Sequence, residues 1–105
     1  MDILSKVEEV FEECLEIVKV KNTDYSPNED SFGSFEVCEF IGICSVENGI
    51  LVRMTDKLTR IANLLKRENA VKDESIEDTI KDLINYSALL LVWLRGKKKG
   101  DTNED

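Results

Sequence analysis

Histidine is absent from the 105-residue chain. Its absence removes the Ser-His-Asp and Cys-His routes to nucleophilic catalysis. Cysteine is scarce: Cys14, Cys38 and Cys44 make an odd count with no C-x-x-C pair. That pattern suits neither a disulfide framework nor a zinc site. No apolar run approaches the roughly 18 residues needed to span a bilayer, and no stretch reads as a signal peptide. The expected setting is therefore the cytoplasm, with no membrane contact. Positive charge is also in deficit, with 14 Lys and Arg against 22 Asp and Glu, a net −8. The tail KKKGDTNED balances three lysines with three acids, so the rest of the chain carries that whole excess. Tracking a nucleic-acid backbone takes clustered Lys and Arg, so no direct nucleic-acid binding is expected. A small phosphorylated ligand stays possible if carboxylates hold Mg²⁺ against its phosphates.

What remains is a short chain, 42% hydrophobic and 34% charged. Its length suits a single domain, taken here as residues 1–96, followed by a disordered charged tail over 97–105. Small domains bury a limited share of their surface and often associate, so a homo-oligomer is expected.

Apolar residues recur at helical spacing over residues 2–21, with Ile3, Val7, Val10, Cys14 and Ile17 on one face and glutamates between them. Cys14 reads there as a small core residue. The segment KNTDYSPNEDSFGSF holds the only proline and interrupts this pattern. FEVCEFIG then reads as a short helix ended by Gly42. ENGILVRMTDKLTRIANLLKRE has strong helical periodicity, and NAVKD breaks it. The last helix starts with Asp73 or Ser75 as N-cap and runs to about Arg95. The expected fold is all-α, with three long helices and one short one and no strand.

Three constellations could carry chemistry. On the last helix Asp78, Asp82 and Asn85 form a polar stripe that continues into Leu89, with Tyr86 beside it. The acids either pair with nearby Lys or Arg or point into a cleft and hold Mg²⁺. The preceding helix carries Arg53, Asp56, Lys57, Arg60 and Asn63. There Asp56 either pairs with Arg60 at i,i+4 or joins the metal cluster, leaving Arg53, Lys57 or Arg60 for phosphate oxygens. Glu9, Glu12, Glu13 and Glu16 are mostly a solvated face, from which one pair could complete an acidic cluster. In the loop, Tyr25, Phe32 and Phe35 either stack on a base or fold back to fill the core.

KNTDYSPNEDSFGSFE, GILVRMTDKLTRIANLL and VKDESIEDTIKDLINYSALLL together resemble the nucleotide modification associated domain 1 family, common in phages and in bacterial genomes carrying phage-like genes. That family looks like a branch of the MazG-like all-α nucleoside triphosphate pyrophosphatases. The resemblance implies helix-borne carboxylates binding Mg²⁺, release of pyrophosphate from a nucleotide, and a dimer or tetramer in a host cytoplasm. Asp82 matches the aspartate of the MazG-like last-helix motif, but Thr79 stands where its glutamate would be, with Asp78 adjacent. The earlier Glu-x-x-Glu motif is met only by Arg53-x-x-Asp56.

On the enzyme reading, Asp56 and Asp82 are catalytic and Asp56, Asp78 and Asp82 hold the metal. Arg53, Lys57 and Arg60 then face phosphate, and Tyr25, Asn85 and Tyr86 contact sugar or base. The alternatives are a non-catalytic protein that sequesters a nucleotide, including a cyclic defence signal, and an accessory to a DNA-modifying enzyme.

Overall fold

A computed structural model describes residues 2–24, 32–68, 72 and 74–104, with side chains over 2–21, 32–68, 72 and 74–99. Four helices follow one another: α1 (Ile3–Asp24), α2 (Gly33–Phe40), α3 (Val46–Leu64) and α4 (Glu74–Glu104). The all-α expectation of three long helices and one short one holds, and no strand occurs among the described residues. None of these helices is long and apolar enough to cross a membrane.

Local chemistry sets most of the boundaries. Asp2 Oδ1 accepts the Ser5 N–H at 2.8 Å at the head of α1. Two successive bonds, Gly42 N–H to Glu39 O and Ile43 N–H to Cys38 O, close the end of α2. Gly42 supplies the left-handed φ of 85° that this ending needs. Ser45 then caps α3 by accepting the Asn48 N–H at 3.1 Å. Glu39 Oε2 takes the Val46 N–H at 2.8 Å, adding a carboxylate to the positive end of the helix. The sequence reading carries this helix through KRE, but it stops at Leu64. Ser75, one of the two N-cap candidates for α4, lies inside that helix, and Asp73 lies outside the described residues.

α3 and α4 run antiparallel and form the body of the molecule. Glu47 meets Trp93 and Lys97 at one end of their seam, and Lys57 meets Asp82 in the middle. Arg60 meets Thr79 a turn further along. Between these polar contacts lie the buried residues Val46, Ile50, Leu64 and Ile76. Phe35 packs its ring over Gly49, where an added Cβ would sit 3.0 Å from Phe35 Cδ1. Phe32 packs on Trp93 with ring centroids 5.2 Å apart. Both phenylalanines therefore fill the junction of α2, α3 and α4, the second of the two roles expected for them. α1 rests on α4 through Cys14, which is 2% exposed and whose thiol burial pushes up. All three cysteines are free.

One element departs from the sequence reading. Gly96 was taken as the end of the last helix, but α4 continues to Glu104. Lys97 lies just past that glycine and donates to Glu47 Oε2 at 2.7 Å, so a tertiary clasp favours helix where local propensity is weak. The Glu47 carboxyl also accepts from Trp93 Nε1 at 3.1 Å. Lys97, the backbone N–H of Glu47 and Trp93, in that order, hold this carboxyl at about 2, well below its ordinary 4.5.

Because the folded value lies below the unfolded one, this contribution to stability is complete above about pH 4.5 and fades as pH falls toward 2. Glu47→Gln should cost about 1 kcal/mol at neutral pH, a modest figure because Lys97 is half exposed. Urea unfolding midpoints measured from pH 7 to 2 should fall more steeply for the natural protein than for Glu47→Gln. Parallel profiles would show that the clasp adds nothing.

Candidate functional site

The polar residues of the α3/α4 seam divide between structural pairs and an open groove. Lys57 Nζ lies 3.2 Å from Asp82 Oδ2, with both side chains about 70% buried, so the carboxylate is met by an ammonium across the seam. Thr79 is 4% exposed, and its hydroxyl donates to Ser75 O at 2.6 Å while accepting from Arg60 Nε at 3.3 Å. Arg60 is thereby pinned on one side while the rest of its guanidinium lines the groove.

That groove has a volume of about 460 Å³ and is lined by Asp56, Thr59, Arg60, Asn63, Arg67 and Ser75, with Leu64 at its base. Asp56, Arg60, Asn63 and Arg67 follow at steps of four, three and four residues, which keeps them on one helical stripe carried just beyond α3. Two guanidiniums and several neutral hydrogen-bonding groups therefore converge in a chain whose net charge is −8. Planar guanidinium forks suit phosphate and carboxylate oxygens. Asp56 has no ion-pair partner among the described residues, and no ion pair joins it to Arg60.

The other expected site residues are scattered. Asn85 donates Nδ2–H to the Cys14 carbonyl at 3.2 Å, tying α1 to α4. Lys81 reinforces that junction with Glu13 at 3.3 Å, and the Glu13 hydrogen bond raises the lysine above its ordinary value. Tyr86 is half-buried, Arg53 and Asp78 are exposed, and Tyr25 lies outside the described residues. Glu9, Glu12, Glu13 and Glu16 flank a second, shallower groove with Lys19, and the Glu16 carboxylate lies 3.3 Å from Lys19.

Magnesium would need clustered carboxylates, and no group of three His, Cys, Asp or Glu able to hold a metal forms among the described residues. Asp56, Asp78 and Asp82 are thus not gathered into one cluster, and one protomer's carboxylates do not fit such an ion. Arg67, Thr59 and Ser75 were not singled out as site residues from the sequence. The signal for Arg67 was present, because it extends the Asp56-Arg60-Asn63 stripe by one more step.

An all-helical domain with an arginine-lined groove along its central helix pair is a class of small anion-binding fold. The chain belongs to the nucleotide modification associated domain 1 family, whose model matches residues 21–94. No curated protein and no solved structure matches the chain.

The Asn85 bond and the Lys81–Glu13 pair are the polar ties that hold α1. Asn85→Ala should cost about 1 kcal/mol. Amide exchange should quicken in α1 by several-fold and stay unchanged in α3. Equal acceleration in both helices would mean that α1 does not open independently.

Proposed function

We propose that this protein binds a nucleotide by its phosphates in the α3/α4 groove and holds it without hydrolysing it. The observation that carries this reading is the convergence of Arg60 and Arg67 on one groove of an acidic molecule. Arg60 and Arg67 take phosphate oxygens as charge-assisted donors. Thr59, Asn63 and Ser75 offer neutral donors and acceptors to the sugar or to bridging oxygens. Membership of a family described by nucleotide modification supports a nucleotide over other phosphorylated ligands.

Hydrolysis to a monophosphate and pyrophosphate, with Asp56 and Asp82 as catalytic residues and Mg²⁺ as cofactor, is the second reading. It draws on the MazG-like resemblance and on Asp56, which lines the groove beside Arg60 without an ion-pair partner. Two observations weigh against it. Asp82 is held by Lys57, and Thr79, where the MazG-like motif has glutamate, is a buried hydroxyl.

Purified protein incubated with Mg²⁺ and a panel of linear and cyclic nucleotides, then ultrafiltered, separates the readings. A nucleotide retained by the protein and recovered intact after denaturation is the expected result. Arg60→Ala and Arg67→Ala should each raise Kd at least tenfold, while Asp82→Asn should leave it within about threefold, figures set by charged hydrogen bonds worth about 1.5–3 kcal/mol. Release of pyrophosphate that falls a hundredfold in Asp82→Asn would establish the hydrolase instead. Passage of every nucleotide into the filtrate would overturn both and favour an accessory to a DNA-modifying enzyme.

A further inference from the structure

The folded chain leaves much apolar surface uncovered. Only five hydrophobic residues are buried among the described residues, while nineteen large ones are exposed. The accessible surface is 8241 Å², against about 6,000 Å² for a compact monomer of this mass. The radius of gyration is 16.3 Å, against about 13 Å for a compact chain of this length. The excess surface exceeds the roughly 800 Å² that each partner gives to a specific interface.

The exposed residues are not spread evenly. Leu51, Leu58 and Leu65 recur every seven residues on α3 and its C-cap, at 46%, 59% and 59% exposure. They lie roughly 160° around the helix from Asp56 and Arg60. Ile80 and Leu91 stand at the same angle from Asp82 on α4, and Leu94 lies near them. Because the two helices are antiparallel and right-handed, these two stripes emerge on the same side of the seam, opposite the arginine groove. The result is one apolar face two helices wide.

Three features of this face select its occupant. It carries no charge: α4 has none from Leu83 to Leu94, and Arg53, Asp56, Lys57 and Arg60 all point away from the α3 stripe. Its hydroxyls are already satisfied, since Thr55 donates to Leu51 O at 2.9 Å and Ser87 to Leu83 O at 2.8 Å. An uncharged patch can also meet its own copy across a twofold axis without like-charge repulsion, even between two chains of −8. The exposed side of α1 differs, because Leu4, Phe11 and Leu15 there are interleaved with five glutamates.

We infer that the α3/α4 face opposite the groove docks a second copy of this chain, giving a twofold dimer with a four-helix core and both grooves open. Its occupant is thus a homo-oligomeric partner, and ligand binding in the grooves is independent of it.

Sedimentation velocity of the full chain at micromolar concentration tests this. The natural protein is expected to sediment as a dimer, or as a larger oligomer built from that dimer. Leu58→Glu is expected to reduce it to monomer with its helical circular dichroism retained, since residue 58 faces water in the single chain. The milder Leu58→Ala should raise the dimer dissociation constant at least tenfold and guards against a folding defect in the glutamate variant. Phe11→Glu on α1 should leave association unchanged. A monomeric natural protein, a Leu58→Ala variant that associates as tightly as the parent, or loss of association in Phe11→Glu alone would each overturn the assignment. Nucleotide retention measured on the same variants reports on the groove separately, so neither inference can fail for the other's reason.

Discussion

The antiparallel register of α3 on α4 is the constraint from which the remaining structure follows. It is fixed by unlike contacts along one seam: Glu47 with Trp93 and Lys97, Lys57 with Asp82, and Arg60 with Thr79. A slip of α4 by one helical turn would separate all of these at once and bury at least one charge without its partner. Truncating one member of a paired, desolvated charge is costly mainly because it strands the other. The seam therefore selects one alignment even though its hydrophobic core is small. Phe32 and Phe35 can fill the α2 end only because that alignment brings Trp93 beside the head of α3.

The same register divides the functional side of the molecule from the apolar one. Helical periodicity alone puts charged and apolar residues of α3 on opposite faces, but it does not say which face α4 covers. The contacts place α4 between the two. Asp56 and Arg60 then border an open groove on one side, and Leu51 and Leu58 stay exposed on the other. A single helix hairpin can thus present an anion-binding surface and an association surface without either intruding on the other.

Much of the fold was legible because its signals are local. Periodic apolar residues marked α1, α3 and α4, and Gly42 marked the end of α2 through the left-handed backbone that glycine adopts readily. The extension of α4 beyond Gly96 was not legible, because its support is Glu47, fifty residues away in sequence from Lys97. The site shows the same division. Asp56 and Arg60 were visible as a helical stripe, and the stripe reached Arg67 by simple continuation. The fates of Asp82 and Asn85 depended on partners from other helices, Lys57 and the Cys14 carbonyl, which no spacing within α4 could reveal.

The question that the sequence poses most sharply is why an acidic stripe should run toward leucines on α4, and the structure answers it in pieces. Asp82 turns to α3 and Asn85 to α1, so adjoining residues of one stripe serve as ties to two different neighbours. A residue used as a tie is a poor candidate for a role that requires it to change partners during a reaction. Arg60 is different: its Nε is held by Thr79 while the guanidinium borders the groove, so one bond orients the fork without consuming it. Prior orientation of that kind lowers the entropy cost of binding an anion. In a molecule whose long-range field repels phosphates, short-range donors fixed in place must supply the attraction. The observed placement of polar groups therefore favours capture of a ligand over its turnover.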